Sequence, residues 1–333
     1  MIPLAKMRKM HETAARKRAV VRASSFDHAD IDDCTKDNPA ECRIHGTKAL
    51  AKTDEIGNSA KHPLLAKLDA LAIDGIDEKT IEAATRDIRA SKTFKDVEGL
   101  QKAFDEATAQ LEATKGNVLR RQLLLKQKYA ELELYESLSQ LADMNMTALK
   151  KVLGHSDVRG LVDSSFSYSD EVESDDVATV KKVADFAFGF ADKSVLPKKK
   201  IACGLELVER NHVTKDFSRM QLHFGVIPSQ VIHEIGHFIE GSNSHILLEC
   251  SRFLDERCNG EQIVCVGKDA NEKGRKDRFL DAYTGKDYIA NGKRYATEVL
   301  SMGLQYLVTN PYEFYKSDRQ HFMMTVGLMK GMV

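Results

Sequence analysis

No stretch of the 333-residue sequence approaches about 18 consecutive apolar residues, so no transmembrane helix is expected. The start, MIPLAKMRKMHETAARKRAVVRAS, is basic but lacks the continuous apolar segment of a secretory signal. Neither sign of charge dominates, because 49 Lys and Arg face 50 Asp and Glu, and the net charge is −1. This balance argues against a protein that mainly coats nucleic acid. A contact of the basic N-terminus with nucleic acid or a partner stays open as an alternative to a solvated tail.

The six cysteines are not accompanied by a secretory signal, and the simplest interpretation is an intracellular chain with reduced thiols. A cytoplasmic protein and a particle assembled inside a cell both fit this interpretation. Three of the cysteines lie close together in the sequence, namely Cys250, Cys258 and Cys265. They are predicted to be buried reduced thiols, with a second metal site as the alternative.

Residues 1–61 are polar, mixed in charge and without sustained periodicity, which predicts a largely disordered segment. Within it, Cys34, Cys42 and His45 form a compact Cys/His element in the stretch CTKDNPAECRIHG. Thiolate and imidazole ligands suit zinc. A fourth ligand would come from His28, Asp32 or Asp33. The alternative is a plain turn at the Asn-Pro pair of the same stretch.

Residues 62–153 follow a helical pattern. Apolar residues recur at spacings of three and four, as at Leu100, Phe104, Ala107 and Leu111 and again at Leu134, Leu138 and Leu141. A break at Gly116-Asn117 separates two helices. The region therefore predicts a helical hairpin or a coiled-coil arm, with a plain helical bundle as the alternative.

Residues 154–180 are rich in Ser and Asp and predict a linker. A second compact unit is predicted over residues 181–333. In it, KKVADFAFGFAD predicts a helix, and IACGLELVE and RMQLHFG predict strands. The sequence as a whole predicts an α+β fold that is mainly helical.

The stretch SQVIHEIGHFIEG predicts an amphipathic helix, with Ser229 as its N-cap and Gly241 as its stop. His233 and His237 lie one turn apart, because residues four apart stack along a helix, and two such imidazoles can bind one zinc ion. Glu234 follows the first histidine, where it can hold a water beside the metal, as in the His-Glu-x-x-His motif of zinc peptidases. The alternative is an ordinary helix whose histidines are half-buried and hydrogen-bonded.

A catalytic zinc needs a third protein ligand, and the spacing excludes a third histidine. Where the extended motif has a glycine and a histidine, this chain has Glu240 and Asn243, and His245 has the wrong spacing. Glutamates on later predicted helices remain as candidates. They are Glu249 and Glu256 in SHILLECSRFLDER and Glu298 in YATEVLSMGLQYL.

HEIGHFIE, followed by a helix, an irregular stretch and ATEVLSMGLQYL, resembles the zinc-glutamate metallopeptidases of the anthrax lethal factor type. The resemblance covers roughly residues 180–333 and implies a zincin-like domain, with a small sheet plus an active-site helix. It implies that Glu298 is the third zinc ligand. It also implies that RNHVTKDFSRMQLHFG is an edge strand that pairs with extended substrate, and that NPYEFYKSDRQHFMMTVGLM is the closing helix.

Three features depart from the family's pattern. Where the family carries a second acidic residue four positions after the ligand, this chain has Met302. The loop between the two helices is longer than expected. The family's catalytic tyrosine is not fixed by spacing, because Tyr288 and Tyr295 are both candidates and Tyr283 lies further from the ligand.

The resemblance implies hydrolysis of a peptide bond in a protein or peptide substrate. The three ligands hold Zn²⁺, Glu234 takes a proton from water and passes it to the leaving amine, and a tyrosine or the metal stabilises the oxyanion. Glu240 and Asp255 are candidates for acceptors that fix the imidazoles.

YTGKDYIANGKRYATEVLSMG and the Cys/His element also resemble parts of phage-encoded, head-associated proteins. This implies a location in the bacterial host cell or the virion, with assembly partners for the N-terminal half. The alternative to an active peptidase is a structural or interaction protein of a phage head or other assembly, with a zinc-binding but inert domain. The ligand set with Glu234 favours the enzyme, whereas Met302 and the unplaced tyrosine favour the structural protein.

Overall fold

The computed structural model describes residues 62–114, 117–170, 172–205, 211–222, 225–265, 273–275 and 278–333. The disorder predicted for residues 1–61 and the element of Cys34, Cys42 and His45 lie outside these ranges. Within the described ranges, no helix combines the length and the apolar character needed to cross a membrane.

Helices make up most of the described chain and small sheets lie between them, which confirms a mainly helical α+β fold. The helices are α1 (Pro63–Ala70), α2 (Glu78–Ala90), α3 (Lys92–Ala113), α4 (Asn117–Leu153), α5 (Arg159–Ser165), α6 (Ser174–Gly189), α7 (Pro228–Ser242), α8 (Ser244–Arg257), α9 (Val299–Thr309), α10 (Pro311–Ser317) and α11 (Arg319–Met329). A short 3₁₀ helix spans Ala282–Gly285.

The described strands are β1 (Phe166–Tyr168), β2 (Ile201–Leu205), β3 (His212–Val213), β4 (Arg219–Leu222), β5 (Val264–Cys265), β6 (Lys273–Gly274), β7 (Asp287–Ala290) and β8 (Lys293–Thr297). Four of them form the largest sheet, in the order β1-β2-β4-β3. β1, β2 and β4 are parallel, and β3 pairs antiparallel with β4 at one edge. β5 pairs with β6 and β7 with β8 in two antiparallel ribbons.

The helical pattern of residues 62–153 is confirmed, and α3 and α4 lie side by side as an antiparallel hairpin. Gln127 Nε2 on α4 donates to Thr108 Oγ1 on α3 at 2.9 Å, and Lys126 Nζ donates to Gln110 Oε1 at 3.1 Å. Further along α4, the amide of Asn145 is buried and donates to the carbonyl of Val308 at 2.9 Å. The same long helix therefore belongs to the hairpin at one end and to the core at the other.

The range 154–180, for which Ser and Asp content predicts a linker, carries α5, β1 and the first turns of α6. Val162 and Phe166 are only 3% and 4% exposed. Asp176 is also buried, and its carboxylate accepts the backbone N–H of Val226 at 3.2 Å. The burial of Val162 and Phe166 and the hydrogen bond of Asp176 thus order a segment whose average composition is polar.

Helices α7 and α9 meet within the core, where a glycine allows the two backbones to approach closely. A Cβ built on Gly236 would lie 2.6 Å from Ser301 Cα, closer than real side chains come to backbone. Ile235 and Leu300, which flank this contact, are fully buried. The absence of a side chain at Gly236 therefore sets the distance between these helices.

His321 on α11 is fully buried among aromatic rings. Its ring lies 5.0 Å from that of Phe314 and 5.7 Å from that of Phe253, measured between centroids. Its Nε2 lies 2.7 Å from the carbonyl oxygen of Val299, so this nitrogen carries the proton and donates. Burial lowers the pKa of His321 from 6.5 to about 4, against the opposing effect of the Asp318 carboxylate.

We expect His321 to destabilise the fold as the pH falls through the window from 6.5 to about 4. Over this window the unfolded chain binds a proton at His321 and the folded chain does not, at a cost of about 1.4 kcal/mol per pH unit. His321→Gln keeps a donor for Val299 and removes the titration. The free energy of unfolding of the wild type relative to this variant, from urea denaturation, should fall by about 2 kcal/mol between pH 7 and pH 4.5. An unchanged difference would contradict a buried neutral histidine.

Candidate metal centre

Helix α7 carries both histidines of the motif, and its ends differ by a residue or two from the sequence prediction. The N-cap is Ile227 rather than Ser229, because Pro228 takes the first helical position, which its fixed φ suits. The helix ends at Ser242, one residue after Gly241. The predicted single-helix placement of the motif is confirmed.

The sequence context of Glu298 predicts a position inside a helix. In the structure, Glu298 instead occupies the N-cap position of α9. The preceding residues, KRYAT, form β8, and the helix begins at Val299. The aromatic and β-branched character of Tyr295 and Thr297 fits a strand better than a helix. The carboxylate is therefore held at a strand-to-helix junction.

The three predicted ligands converge. The Oε2 atom of Glu298 lies 3.2 Å from His233 Nε2 and 3.1 Å from His237 Nε2. One ligand atom from each residue lies within 4.8 Å of the others. Tetrahedral zinc with bonds of about 2.0–2.2 Å separates its ligand atoms by about 3.3 Å, so the two measured contacts are close to those of a zinc site.

The two other glutamates considered as third ligands are engaged elsewhere. Glu249 accepts hydrogen bonds from Arg252 Nη1 at 3.0 and 2.9 Å. Glu256 accepts the backbone N–H of Leu64 at 2.9 Å, at the start of α1. Among the candidates weighed, only Glu298 faces both histidines.

Two hydroxyl groups orient the Glu298 carboxylate. Tyr288 donates to Oε1 at 2.6 Å and Ser301 donates to Oε2 at 2.8 Å. Ser301 was not among the sequence-predicted site residues, although its position three residues after Glu298 places both at the first turn of one helix. The Glu298 carboxylate thus accepts a hydroxyl hydrogen bond at each oxygen and is buried, at 0% exposure.

Glu240, one turn after His237, holds the residue before the third ligand. Its Oε1 accepts the backbone N–H of Thr297 at 2.9 Å and the Thr297 hydroxyl at 2.8 Å. Burial raises the pKa of Glu240 to about 8, against the effect of these hydrogen bonds. We call this arrangement the Glu240–Thr297 clasp, and it connects α7 directly to the junction that carries Glu298.

Neither residue predicted to fix an imidazole takes that part in the structure. Glu240 binds Thr297, and Asp255 pairs with Arg294 at 3.0 and 2.8 Å. His233 Nδ1 is buried and has no hydrogen-bond partner within the described part of the chain. The predicted acceptors fail because α7 turns Glu240 towards β8 and α8 turns Asp255 towards the ribbon of β7 and β8.

Burial and neighbouring charge compete at the metal-site residues. Burial acts to raise the pKa of Glu298, but His237 and His233 beside it hold the pKa well below its usual range. Burial acts to lower the pKa of His237, but the Glu298 carboxylate raises it above its usual value. Metal ligands must be deprotonated, so an ion bound here would displace the proton that the Glu298 carboxylate stabilises on His237.

Glu234 lies beside the ligands with a carboxyl group that is 5% exposed. Burial raises its pKa, and the nearby His233 and His237 act in the opposite direction. Its Oε2 atom has no hydrogen-bond partner among the described residues. A buried, unsatisfied carboxylate oxygen next to a nitrogen–oxygen donor set fits a site that takes a zinc ion and a water molecule.

Of the two tyrosines predicted as catalytic, Tyr288 reaches a ligand and Tyr295 packs behind it, with ring centroids 5.9 Å apart. Burial raises the pKa of Tyr288, and so does the Glu298 carboxylate. Tyr283 also reaches the site, with its ring 6.5 Å from that of His233. Lys286, which no sequence motif marks, is 4% exposed, and its Nζ lies 4.7 and 4.6 Å from the ring centroids of Tyr283 and Tyr288.

The cysteines near the motif do not form a second metal group. Cys250 and Cys258 are buried free thiols, as predicted, whereas Cys265 is exposed. Among the described residues, the cluster of His233, His237 and Glu298 is the only convergent group of potential metal ligands.

Comparison with known proteins adds no relative: no family model, curated protein or solved structure matches this chain.

Proposed function

We propose that this chain is a zinc-dependent metallopeptidase whose metal is held by His233, His237 and Glu298. The observation that carries the proposal is the meeting of both Nε2 atoms at one oxygen of Glu298, at 3.2 and 3.1 Å. About 60 residues separate this carboxylate from the histidines along the chain. Three suitable donor atoms from such distant positions rarely converge by chance in a buried site.

When bound at such a site, zinc acidifies a water molecule and polarises a carbonyl group. Glu234 then has the role of accepting the water's proton and delivering it to the leaving amine. Tyr288 and Ser301 keep the Glu298 carboxylate oriented through their hydrogen bonds. Because the Tyr288 hydroxyl donates to Glu298, the role of oxyanion donor goes to Tyr283, whose ring lies 6.5 Å from that of His233.

The proposal includes a zincin-like domain of the lethal factor type over the C-terminal half. Its support is the order of elements: a small sheet with the antiparallel edge strand β3 comes first, then the histidine helix α7, then the glutamate at the start of α9. Among the described strands, edge strand β3 pairs on one side only, with β4, and we assign its other side to pairing with an extended peptide. The substrate class is therefore a protein or peptide segment in extended conformation.

Zinc content and hydrolysis of unfolded casein test the proposal together. The wild-type chain, reconstituted with zinc, should bind one equivalent and cleave casein, and removal of the metal with a chelator should stop cleavage. Glu298→Ala should lose the zinc and the activity. Glu249→Ala, which removes another buried carboxylate on the next helix, should keep both.

Two outcomes contradict the proposal in different ways. No zinc binding by the wild type would remove the metal site itself. Zinc bound in full without cleavage of casein or of a diverse peptide mixture would favour the alternative, an inert metallopeptidase-like domain in a structural protein of an assembly such as a phage head.

A further inference from the structure

The outward face of α4 carries a narrow apolar stripe that no described element covers. Leu125, Tyr129 and Leu132 are 53%, 46% and 36% exposed, and their spacing of four and three places them on one side of the helix. Exposed Arg121 and Glu136 extend the stripe by one turn at each end. We call these five residues the outward stripe.

The partner helix α3 lies on the opposite side of α4. Gln127, which donates to Thr108 of α3, and Leu134, which is 1% exposed, both lie about half a turn away from the outward stripe. The stripe is thus not the inner seam of the hairpin, which α3 already fills. Exposed large apolar side chains repeated along one helix face mark a contact surface rather than scattered surface residues.

Charge is segregated along this part of α4. The stretch NVLRRQLLLKQK, which begins the helix, contains basic residues and no acidic ones, and the following YAELELYES contains acidic residues and no basic ones. The stripe shares this polarity, with Arg121 at one end and Glu136 at the other. A parallel pairing of two such helices would place like charges together, whereas an antiparallel pairing places opposite charges together.

We propose that the outward stripe pairs with the same stripe of a second copy of this chain, antiparallel and about a two-fold axis between Lys128 and Tyr129. The stripe is symmetric about this point. The two-fold operation places Leu125 opposite Leu132 of the other copy, and Arg121 opposite Glu136. The same operation sets the cation of Lys128 against the ring of Tyr129, a favourable pairing. A self-complementary surface of this kind is what an isologous dimer requires.

The expected dimer is weak. The stripe is about 22 Å long at 1.5 Å per residue, so the buried surface falls below that of a standard interface of about 1,600 Å². A dissociation constant on the order of 10 μM is the expected range. Dimerisation goes beyond the proposed peptidase function and does not depend on it, because the stripe lies outside the metal centre.

Sedimentation equilibrium of the full-length chain, at concentrations up to about 100 μM, tests the pairing. The wild type should show a monomer–dimer equilibrium that weakens as salt increases, because ion pairs flank the contact. Arg121→Glu and Glu136→Arg should each weaken dimerisation about 10-fold, since each sets two pairs of like charges against each other. Leu125→Asp should weaken it at least as much.

A mixing experiment separates this pairing from other contacts. Arg121→Glu chains mixed with Glu136→Arg chains should form heterodimers of near wild-type affinity, because every contact then joins opposite charges. Lys102→Glu, on exposed α3, serves as the matched charge reversal and should leave dimerisation unchanged. A wild type that stays monomeric at the highest concentration overturns the proposal, as does a dimer that ignores Arg121→Glu, Glu136→Arg and Leu125→Asp.

Discussion

Glu234→Gln is expected to lower the kcat of peptide hydrolysis about 1,000-fold while leaving zinc bound. Glutamine has nearly the same size and shape as glutamate, but it cannot accept a proton at neutral pH. The proposed metal ligands are His233, His237 and Glu298, and the substitution changes none of them. The zinc content of the purified variant checks that the metal is retained, and kcat on the same peptide as for the wild type checks the loss of activity.

The matched control for Glu234→Gln is Glu249→Gln. Glu249 is also a buried carboxylate, at 7% exposure, but it binds Arg252 on its own helix. This variant should keep kcat within about twofold, since Glu249 does not touch the metal site. If Glu234→Gln kept its activity, general-base catalysis by Glu234 would be wrong even with zinc bound at the site.

Gly236→Ala is expected to destabilise the fold by about 3 kcal/mol and to weaken zinc binding by about 100-fold. The new Cβ would lie 2.6 Å from Ser301 Cα and 3.0 Å from Ser301 N, and both are backbone atoms that no rotamer change can move. α7 and α9 would have to separate. His233 and His237 lie on α7, and Glu298 is the N-cap of α9. Separation of the two helices would therefore increase the distances between the proposed ligands.

Gly99→Ala provides the control for this prediction. Gly99 lies inside α3, and a Cβ there would meet no atom within 4 Å. Alanine should stabilise that helix by about 0.5–1 kcal/mol, since glycine loses more backbone freedom on folding. Urea denaturation and zinc titration of both variants provide the comparison. Equal stability and zinc affinity of Gly236→Ala and wild type would contradict the close approach of the two backbones.

The histidine helix was the part of the fold that the sequence predicted best. Its period of 3.6, carried by Val231, Ile235 and Phe238, is a local property, so α7 could be placed to within two residues at each end. The junction at Glu298 was harder, because YATEVLSMG has helical apolar spacing throughout. The residues before Glu298 form a strand because β8 pairs with β7. Such pairing depends on tertiary structure and cannot be inferred from a local sequence pattern.

The residues of the proposed ligand set could be predicted from the sequence. The residues that hold them in position could not. His233 and His237 follow from helix geometry, whereas Glu298 is selected among three glutamates through a resemblance. In the structure its carboxylate lies next to both histidines. Ser301 and Lys286 reach the site through tertiary packing, which no spacing reveals. The acceptors predicted for the imidazoles were wrong because the direction of a side chain on a helix depends on what packs against it.

The Glu240–Thr297 clasp has a consequence for the thermodynamics of metal uptake. An ion that joins His237 to Glu298 closes a loop of about 60 residues, and in a flexible chain that closure would cost entropy. The clasp closes almost the same loop with two hydrogen bonds and no metal. An ion at the proposed metal centre would therefore enter a preorganised site, and its binding free energy would be available for affinity rather than for folding.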